Sequence, residues 1–339
     1  MDTVLVTGIS GFIAKHVVLE LLRQGCAVRG TVRSLAGADD VRRTLIAQGA
    51  DVSRLGFVAA DLDHDAGWAE AVAGCRYVQH IASPFPLEVV DDREALVPAA
   101  RDGALRVLDA ALQAGVERVV MTSSMVAMMY RPGRPAECRV TEGDWTDPEW
   151  APLTPYIVSK TRAEQAAWAR MRDAGASAGL TTVNPGFVLG PLLDAKSSTS
   201  IDVVKMFLTG AYPALPPVAF PVVDVRDLAA VQVRAMTAQE AGGRRLIAAG
   251  ETITMREMAF ALRAAFPARR RRIPQWVLPA GVVRFAGIFD RALRALRGDL
   301  GVTPIADSAY VTALTGVGFR PAAEAVVAAG RSLEAMGLV

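Results

Sequence analysis

Short apolar runs alternate with longer amphipathic stretches through the first third of the chain. The runs are rich in β-branched residues and predict strands over residues 4–7, 27–32, 57–60, 77–81 and 118–122. The stretches between them, such as 15–24 and 95–114, have the periodicity of helices that cover a sheet. Strands and helices that alternate in this way are joined by right-handed crossovers. The pattern therefore predicts an α/β fold with a parallel, doubly wound sheet.

The pattern changes in the second half of the chain. A helix is predicted over 156–172, and a sixth strand over 181–184 is ended by Pro185 and Gly186. Beyond it lie a proline cluster, a short strand at 222–225, and then mixed helices and irregular segments. We predict one domain over 1–184, to which 222–236 returns, and a smaller interleaved lobe over 185–339.

A glycine-rich turn with the sequence TGISGFIA, residues 7–14, joins the first predicted strand to the first helix. In a dinucleotide-binding turn the first glycine permits a tight bend, and the second lets the backbone approach the pyrophosphate. The helix N-terminus then offers free N–H groups to the phosphates. Glycine pairs are common at turns, but this one follows the first predicted strand and opens the first helix, which is the position that a dinucleotide-binding turn requires. The candidate cofactor-binding residues here are Gly8, Gly11, Phe12 and Ile13.

The end of the second predicted strand bears on which dinucleotide is bound. An NAD site commonly has an acidic side chain there for the ribose 2′-hydroxyl. This chain has Arg33, which can bind a 2′-phosphate, and Arg42 or Arg43 could add to it, so NADPH/NADP+ is favoured. The alternative is a solvated surface arginine. Asp61 and Leu62 follow the third strand, where an adenine edge would lie, although acidic loop residues are common.

Three side chains form the candidate catalytic set. Tyr156 and Lys160 are four residues apart on a predicted helix and therefore share a face. A tyrosine has an ordinary pKa of about 10, so it needs a nearby cation to exchange protons near neutral pH. Ser124 ends the fifth strand at the carboxyl edge of the sheet, where doubly wound folds bind ligands. A hydroxyl there can orient a carbonyl oxygen.

Composition and charge narrow the expected partners. The 339 residues include 37 basic and 35 acidic side chains, a net charge of +2, so we expect neither nucleic acid nor a membrane as partner. The three cysteines, Cys26, Cys75 and Cys138, lack the spacing of a zinc site or a disulfide framework, and no metal is expected. No apolar run is long enough to span a bilayer, and no signal sequence precedes the first strand. We expect a cytoplasmic protein with a small-molecule substrate.

Taken together, these residues resemble the extended short-chain dehydrogenases/reductases, which have a Rossmann domain. The resemblance covers nearly the whole chain and is closest to the branch of plant dihydroflavonol and cinnamoyl-CoA reductases and yeast-type methylglyoxal and aldehyde reductases. The motifs that carry it are the Gly8 turn, the TVR sequence ending at Arg33, Asp61-Leu62, HIASP at 80–84, TSS ending at Ser124, YIVSK at 156–160 and PGFVLGP at 185–191.

The resemblance implies the reaction and its residues. In this family a hydride passes from the nicotinamide to a carbonyl carbon, so the substrate would be a small carbonyl compound and the 185–339 lobe would mainly bind it. Tyr156 would be the general acid, Ser124 would bind the carbonyl oxygen, and Lys160 would hold the ribose and tune Tyr156. Further cofactor contacts would come from Pro185, Val188, Ala82 and Ser200.

Two departures from the family pattern concern substrate and proton transfer. Dihydroflavonol reductases have an asparagine five residues after the catalytic serine, where this chain has Met129, which argues against a flavonoid. Many relatives relay protons through a helix asparagine, whereas Asn184 is the only asparagine here. We predict an adaptable apolar pocket lined by Phe85, Met125 and Met129, with packing of the lobe interface as the alternative.

Other functions stay open at this stage. A sugar-nucleotide epimerase or dehydratase uses the same Ser, Tyr and Lys set but usually keeps NAD, which Arg33 disfavours. A hydroxysteroid or other secondary-alcohol dehydrogenase would run the reaction in the opposite direction. An NADP-sensing regulator would be expected to lose Tyr156 and Lys160. Helices 95–114 and 156–172 pair between subunits in many relatives and would support a homodimer. The arginines at 269–272 favour a solvated turn over a phosphate or membrane contact.

Overall fold

A central sheet of seven strands organises the molecule, which a computed structural model describes over residues 2–83 and 92–339. Phe85, predicted to line the substrate pocket, lies outside the described residues. The strands of the described chain are β1 Thr3–Val6, β2 Ala27–Val32, β3 Leu55–Ala59, β4 Tyr77–His80, β5 Arg118–Thr122, β6 Glu137–Val140, β7 Leu180–Pro185, β8 Phe187–Leu189, β9 Ala219–Asp224, β10 Arg244–Ala248, β11 Thr252–Thr254 and β12 Thr303–Ala306.

Twelve α-helices lie in the described ranges. They are α1 Phe12–Arg23, α2 Ala38–Ala47, α3 Trp68–Val72, α4 Val97–Gln113, α5 Pro155–Asp173, α6 Thr199–Thr209, α7 Val225–Thr237, α8 Met255–Ala265, α9 Ala280–Ala286, α10 Arg291–Ala295, α11 Ala309–Thr315 and α12 Ala322–Ala335. None of the helices within 2–83 and 92–339 is long and apolar enough to cross a membrane.

The central sheet has the order β10-β7-β5-β4-β1-β2-β3, and every neighbouring pair is parallel. Helices α1, α2 and α7 pack on one face, while α3, α4 and α5 pack on the other. The predicted doubly wound fold is confirmed. Its strand order reverses between β1 and β4, the place where such sheets bind their ligands.

The predicted strands and helices differ from the observed ones mainly at their ends. The strands predicted at 4–7, 57–60 and 77–81 are shifted or shortened by one or two residues. The strand predicted at 181–184 is one residue longer at each end, so Pro185 lies inside the strand that it was predicted to end and only Gly186 lies beyond it. Pro185 is the last residue of β7 and pairs with Ala248, because a proline at the end of a strand removes no hydrogen bond that the ladder needs.

Two features of the second half were not predicted as they occur. The seventh strand, β10, was missed, since its sequence RRLIA opens with two arginines. The strand predicted at 222–225 corresponds to the end of β9, with Val225 already in α7, and β9 belongs to a separate three-stranded sheet, β11-β9-β8. Helix α7 follows it and packs against α1 and the central sheet. We propose the division into a 1–184 domain and a 185–339 lobe, with α7 and β10 returning to the first.

Candidate active site

Gly8 sits at the close approach between the ends of β1 and β4. Its φ is +63°, and a Cβ built on it would lie 2.9 Å from the Cβ of Ala82. The Gly8 N–H donates to the Thr31 hydroxyl at 2.9 Å, and Gly11 N–H donates to the Gly8 carbonyl at 2.9 Å. Both the backbone conformation and the space therefore require glycine at position 8.

The N-terminus of α1 is open for an anion. Its N-cap is Gly11, which has no side chain to accept from the first N–H groups. The helix begins at Phe12, so the N–H groups of Phe12 and Ile13 belong to the first turn and have no intrahelical partner. Unpaired N–H groups at a helix start bind phosphate. This turn fits the pyrophosphate of a dinucleotide.

Arg33 follows the last residue of β2 at the same edge of the sheet. Its side chain is exposed and makes no hydrogen bond or ion pair with any described residue. Arg42, in contrast, donates to the carbonyls of Val52 and Leu55, and Arg43 pairs with Asp40. Of these three arginines, Arg33 is thus the one whose guanidinium has no partner among the described residues, which suits it to bind a 2′-phosphate.

Some of the predicted cofactor-binding residues lie together at one pocket, but Pro185 and Val188, predicted to wall the nicotinamide, do not line it. Leu62, Ala82 and Lys160 line a single small pocket at the carboxyl ends of β4 and β5. Asp61 stands beside this pocket, where its carboxylate accepts from the N–H of Asp63 at 3.2 Å. Leu62 is nearly fully buried. The lining combines apolar side chains with hydroxyl groups and the ammonium of Lys160.

Thr7 ties the ends of β1 and β4 together. Its hydroxyl oxygen accepts from the N–H groups of Ile81 and Ala82, at 3.0 and 2.9 Å, and lies 3.0 Å from Nδ1 of His80. With two donors on its oxygen, Thr7 donates its own hydrogen to Nδ1, so His80 carries its proton on Nε2. Burial, aided by the charge of Lys160, lowers the pKa of His80 to about 3, so the ring is neutral.

Ser124 and Tyr156 meet at the end of β5. Ser124 follows the strand and caps a short 3₁₀ turn, with its hydroxyl accepting from Val126 N–H at 3.3 Å. Tyr156 is the second residue of α5, whose start is capped by the hydroxyl of Thr154. Burial raises the pKa of Tyr156, and a hydrogen bond with the Ser124 side chain opposes that rise. The two candidate catalytic hydroxyls are therefore in direct contact.

Lys160 lies one helical turn after Tyr156 and is half-buried at the pocket that it lines. Burial lowers the pKa of its ammonium to about 8, and the negative charge of Glu164 partly counteracts this. A lysine with a pKa near 8 is charged at neutral pH yet can respond to proton transfer nearby.

Glu164, one turn further along α5, is completely buried and receives hydrogen bonds from three strands. Ser123 of the β5 end donates at 2.5 Å, Asn184 of β7 at 2.8 Å, and Arg245 of β10 at 2.7 Å. Thr182 also donates to it, at 3.0 Å. A buried carboxylate needs such partners, because an uncompensated charge in the interior is costly.

This network reaches the candidate catalytic serine through the backbone. Asn184 uses the same amide nitrogen to donate to the carbonyl of Ser124 at 3.2 Å. Arg245 also donates to the carbonyls of Glu142, Asp144 and Ala127, and its guanidinium stacks 3.6 Å from the Trp145 ring centre. Glu164 and its partners therefore fix the strand ends from which Ser124 projects.

The segment after β7 is held over the first helix. Ser200, at the start of α6, donates to the carbonyl of Val188 at 2.6 Å. His16 contacts the Pro191 carbonyl at 3.0 Å, and the buried ammonium of Lys15 pairs with Asp194 at 2.5 Å. The predicted nicotinamide wall is thus anchored on both sides. In this structure the Ser200 hydroxyl is used to hold that wall.

The methionines predicted to contact substrate are packed in an apolar cluster. Met125 is 1% exposed and Met129 6% exposed, and both lie among Tyr130, Val158 and Ile247. Packing at the base of the lobe accounts for this burial. Their contact with a substrate stays a prediction.

Sequence reasoning missed Glu164 and Arg245, and it named Thr7 and His80 only as members of longer motifs. Glu164 left a signal, since it stands four residues after Lys160 on the same helix face, and that face is buried. Arg245 left none, because its partner is 81 residues away in sequence.

Comparison with known proteins adds to this geometry. Residues 4–250 match the NAD dependent epimerase/dehydratase family. Cinnamoyl-CoA reductase 1 of Arabidopsis thaliana is 39% identical over 249 residues, which span 73% of this chain and 70% of the plant protein. Dihydroflavonol 4-reductase of Hordeum vulgare is 32% identical over 298 residues, 85% of this chain and 78% of that protein.

A solved structure resembles the whole chain. Yeast methylglyoxal/isovaleraldehyde reductase Gre2, complexed with NADPH, superimposes with a TM-score of 0.81 at 25% identity and covers 99% of this chain and 100% of the yeast chain. These findings agree with the resemblance drawn from the motifs.

The Glu164 network generates a stability prediction. Glu164→Gln keeps the shape of the side chain but leaves Arg245 without its carboxylate. Breaking a buried ion pair in this way costs about 3–5 kcal/mol of unfolding free energy. Denaturant unfolding measures it. The matched control is Glu149→Gln, whose partner Arg162 is exposed, as is Glu149 itself, and which we expect to cost less than about 1 kcal/mol. Equal costs for the two variants would contradict the network's role.

Proposed function

The chain belongs to the NAD dependent epimerase/dehydratase family, and from that premise we propose that it is an NADPH-dependent oxidoreductase that reduces a ketone or aldehyde. The observation that carries the proposal is the contact between the Ser124 and Tyr156 hydroxyls with Lys160 one turn away. This set lies at the carboxyl edge of the sheet, beside the pocket that Lys160 lines. Relatives that are named as reductases, one of them in complex with NADPH, support it.

The cofactor would be held mainly by groups that have no hydrogen-bond partner among the described residues. The Gly8 turn and the first N–H groups of α1 would receive the pyrophosphate, and Arg33 the 2′-phosphate. Leu62 and Ala82 would line the cleft between the two ends, with Asp61 at the adenine side. Pro185 and Val188 would wall the nicotinamide. When bound, the reduced nicotinamide supplies the hydride that goes to the carbonyl carbon.

The protein's own residues would supply the proton and orient the oxygen. Ser124 would donate a hydrogen bond to the carbonyl oxygen, and Tyr156 would transfer its phenolic proton to that oxygen as it gains negative charge. The ammonium of Lys160 would stabilise the phenolate that remains. Burial keeps the Tyr156 proton in place until the substrate takes it, because it raises the pKa of the phenol.

The alternatives receive less support. The epimerase and dehydratase reactions use NAD, whereas the second strand is followed by the uncommitted Arg33 in place of an acidic residue. A regulator without catalysis would not need the contact between Ser124 and Tyr156. Oxidation of a secondary alcohol uses the same residues in reverse, so the physiological direction follows from cofactor supply.

Tyr156→Phe tests the proposed acid. The variant keeps the ring but loses the proton, so we expect NADPH oxidation over a panel of aldehydes, α-dicarbonyls, β-keto esters and aryl ketones to fall by about 10²–10⁴-fold. Absorbance at 340 nm follows the reaction. NADPH binding, measured by fluorescence, should be retained. Full activity in the variant would exclude Tyr156 as the acid.

Arg33→Ser tests the cofactor preference. Loss of a charge-assisted hydrogen bond should raise the KM for NADPH by about tenfold to a hundredfold, while the KM for NADH stays the same. The control is Arg43→Ser, which removes a nearby arginine that already pairs with Asp40. A parallel change with both cofactors, or an equal effect of the control, would rule out the assigned role of Arg33.

A further inference from the structure

Residues 269–297, which we name the basic aromatic face, expose their largest apolar side chains. Trp276 is 80% exposed and Phe289 79% exposed, whereas large apolar residues on a protein surface are usually single and partly covered. The exposed large apolar residues of this face are Trp276, Val277, Val282, Phe285, Ile288 and Phe289. Such a concentration marks a surface that binds something.

The face is a built part of the fold. Ile273 and Val283 are buried in the main core and anchor the segment at two points. Leu215 N–H donates to the Trp276 carbonyl at 2.8 Å, and Leu278 N–H donates to the Leu215 carbonyl at the same distance. Val283 faces the core from α9, while its neighbours Val282 and Phe285 face outward. The inner side of the segment is therefore held by core packing and backbone hydrogen bonds, whereas its outer side exposes apolar side chains to solvent.

Positive charge surrounds these apolar side chains. The basic aromatic face contains eight arginines and a single acidic residue, Asp290. The rest of the chain holds the remaining 29 of 37 basic residues and 34 of 35 acidic residues, and so is net negative. The side chains of Arg270, Arg271 and Arg272 make no hydrogen bond or ion pair within the described part of the chain. Their charge is available to an anionic partner.

A cleft beside the face could receive a phosphate group. It has a volume of about 660 Å³ and lies between the end of α6 and residues 271–276. Its lining includes Arg263, Arg271, Arg272, Tyr212 and Trp276, so three arginines and two aromatic residues share it. Guanidinium groups bind phosphate oxygens through paired hydrogen bonds.

We propose that the basic aromatic face docks on the surface of a membrane that contains anionic lipids. Outward aromatic and aliphatic side chains would enter the boundary between headgroups and acyl chains, and the arginines would contact the lipid phosphates. The charge favours this occupant over a second copy of the chain, because two such faces would bring like charges together. The proposal departs from the expectation, drawn from the overall charge, that no membrane is a partner.

Vesicle flotation with the full chain tests the proposal. We expect the protein to float with vesicles of phosphatidylcholine mixed with phosphatidylglycerol and to stay behind with phosphatidylcholine alone. Binding should weaken as salt is raised, since the Debye length shortens. Equal binding to both vesicle types, or no binding to either, would overturn the proposal.

Two variants separate the charged and the apolar contributions. Replacing Arg270, Arg271 and Arg272 with Gln should weaken binding at least about tenfold, because each arginine near an anionic surface contributes to affinity. Trp276→Ser combined with Phe289→Ser should also abolish flotation at moderate salt, and a variant that binds normally would overturn apolar insertion.

The matched control carries the same charge loss elsewhere. Arg23, Arg43 and Arg172 are exposed outside the face, and changing them to Gln should leave flotation unchanged. Because all the altered side chains are exposed, NADPH oxidation and thermal stability should stay at the level of the parent protein. Light scattering is the second readout. A dimer that dissociates in the Trp276 and Phe289 variant would assign the face to a second copy and overturn the membrane proposal.

Discussion

The buried carboxylate of Glu164 is the constraint on which the candidate site depends. An ionised carboxylate is stable in the interior only if several donors compensate it, and here the donors come from β5, β7 and β10. To satisfy one side chain, three strand ends must reach fixed positions. Ser124 follows one of these ends, and Lys160 stands one turn before Glu164 on α5. The positions of Ser124 and Lys160 thus depend on the hydrogen bonds and the ion pair that compensate the Glu164 carboxylate.

That arrangement also explains the ionisation of Lys160. The pocket at the sheet edge withdraws the lysine from water, which lowers its pKa, and Glu164 limits the fall. The neutral His80 on the other side adds no charge of its own. The site therefore places the ammonium of Lys160 near the phenol of Tyr156, which keeps its proton because burial raises its pKa. Such a pair suits proton donation to a carbonyl oxygen better than either group would alone.

Much of the fold could be predicted from local sequence, because strands and helices of a doubly wound sheet have distinct periods and the Gly8 turn has a distinct position. The candidate hydroxyls and Lys160 could also be found, since their spacing on one helix and one strand end is short-range. The contact of Arg245 with Glu164 could not, because it joins a distant strand to α5. The basic aromatic face was only partly visible in the sequence. The arginines at 269–272 stand out there, but the exposure of Trp276 and Phe289 does not, because large apolar residues are usually buried.

The pH dependence of carbonyl reduction tests the central claim most directly, because it reports the ionisation of Lys160 beside Tyr156. The ammonium is present below its pKa of about 8 and is lost above it, while the raised pKa of Tyr156 keeps the phenol protonated over that interval. Measured with saturating NADPH from neutral pH to about pH 10, kcat/KM should be level at first and should fall as the pH rises through about 8. A profile that stays level across this range, or that rises with pH, would contradict the account.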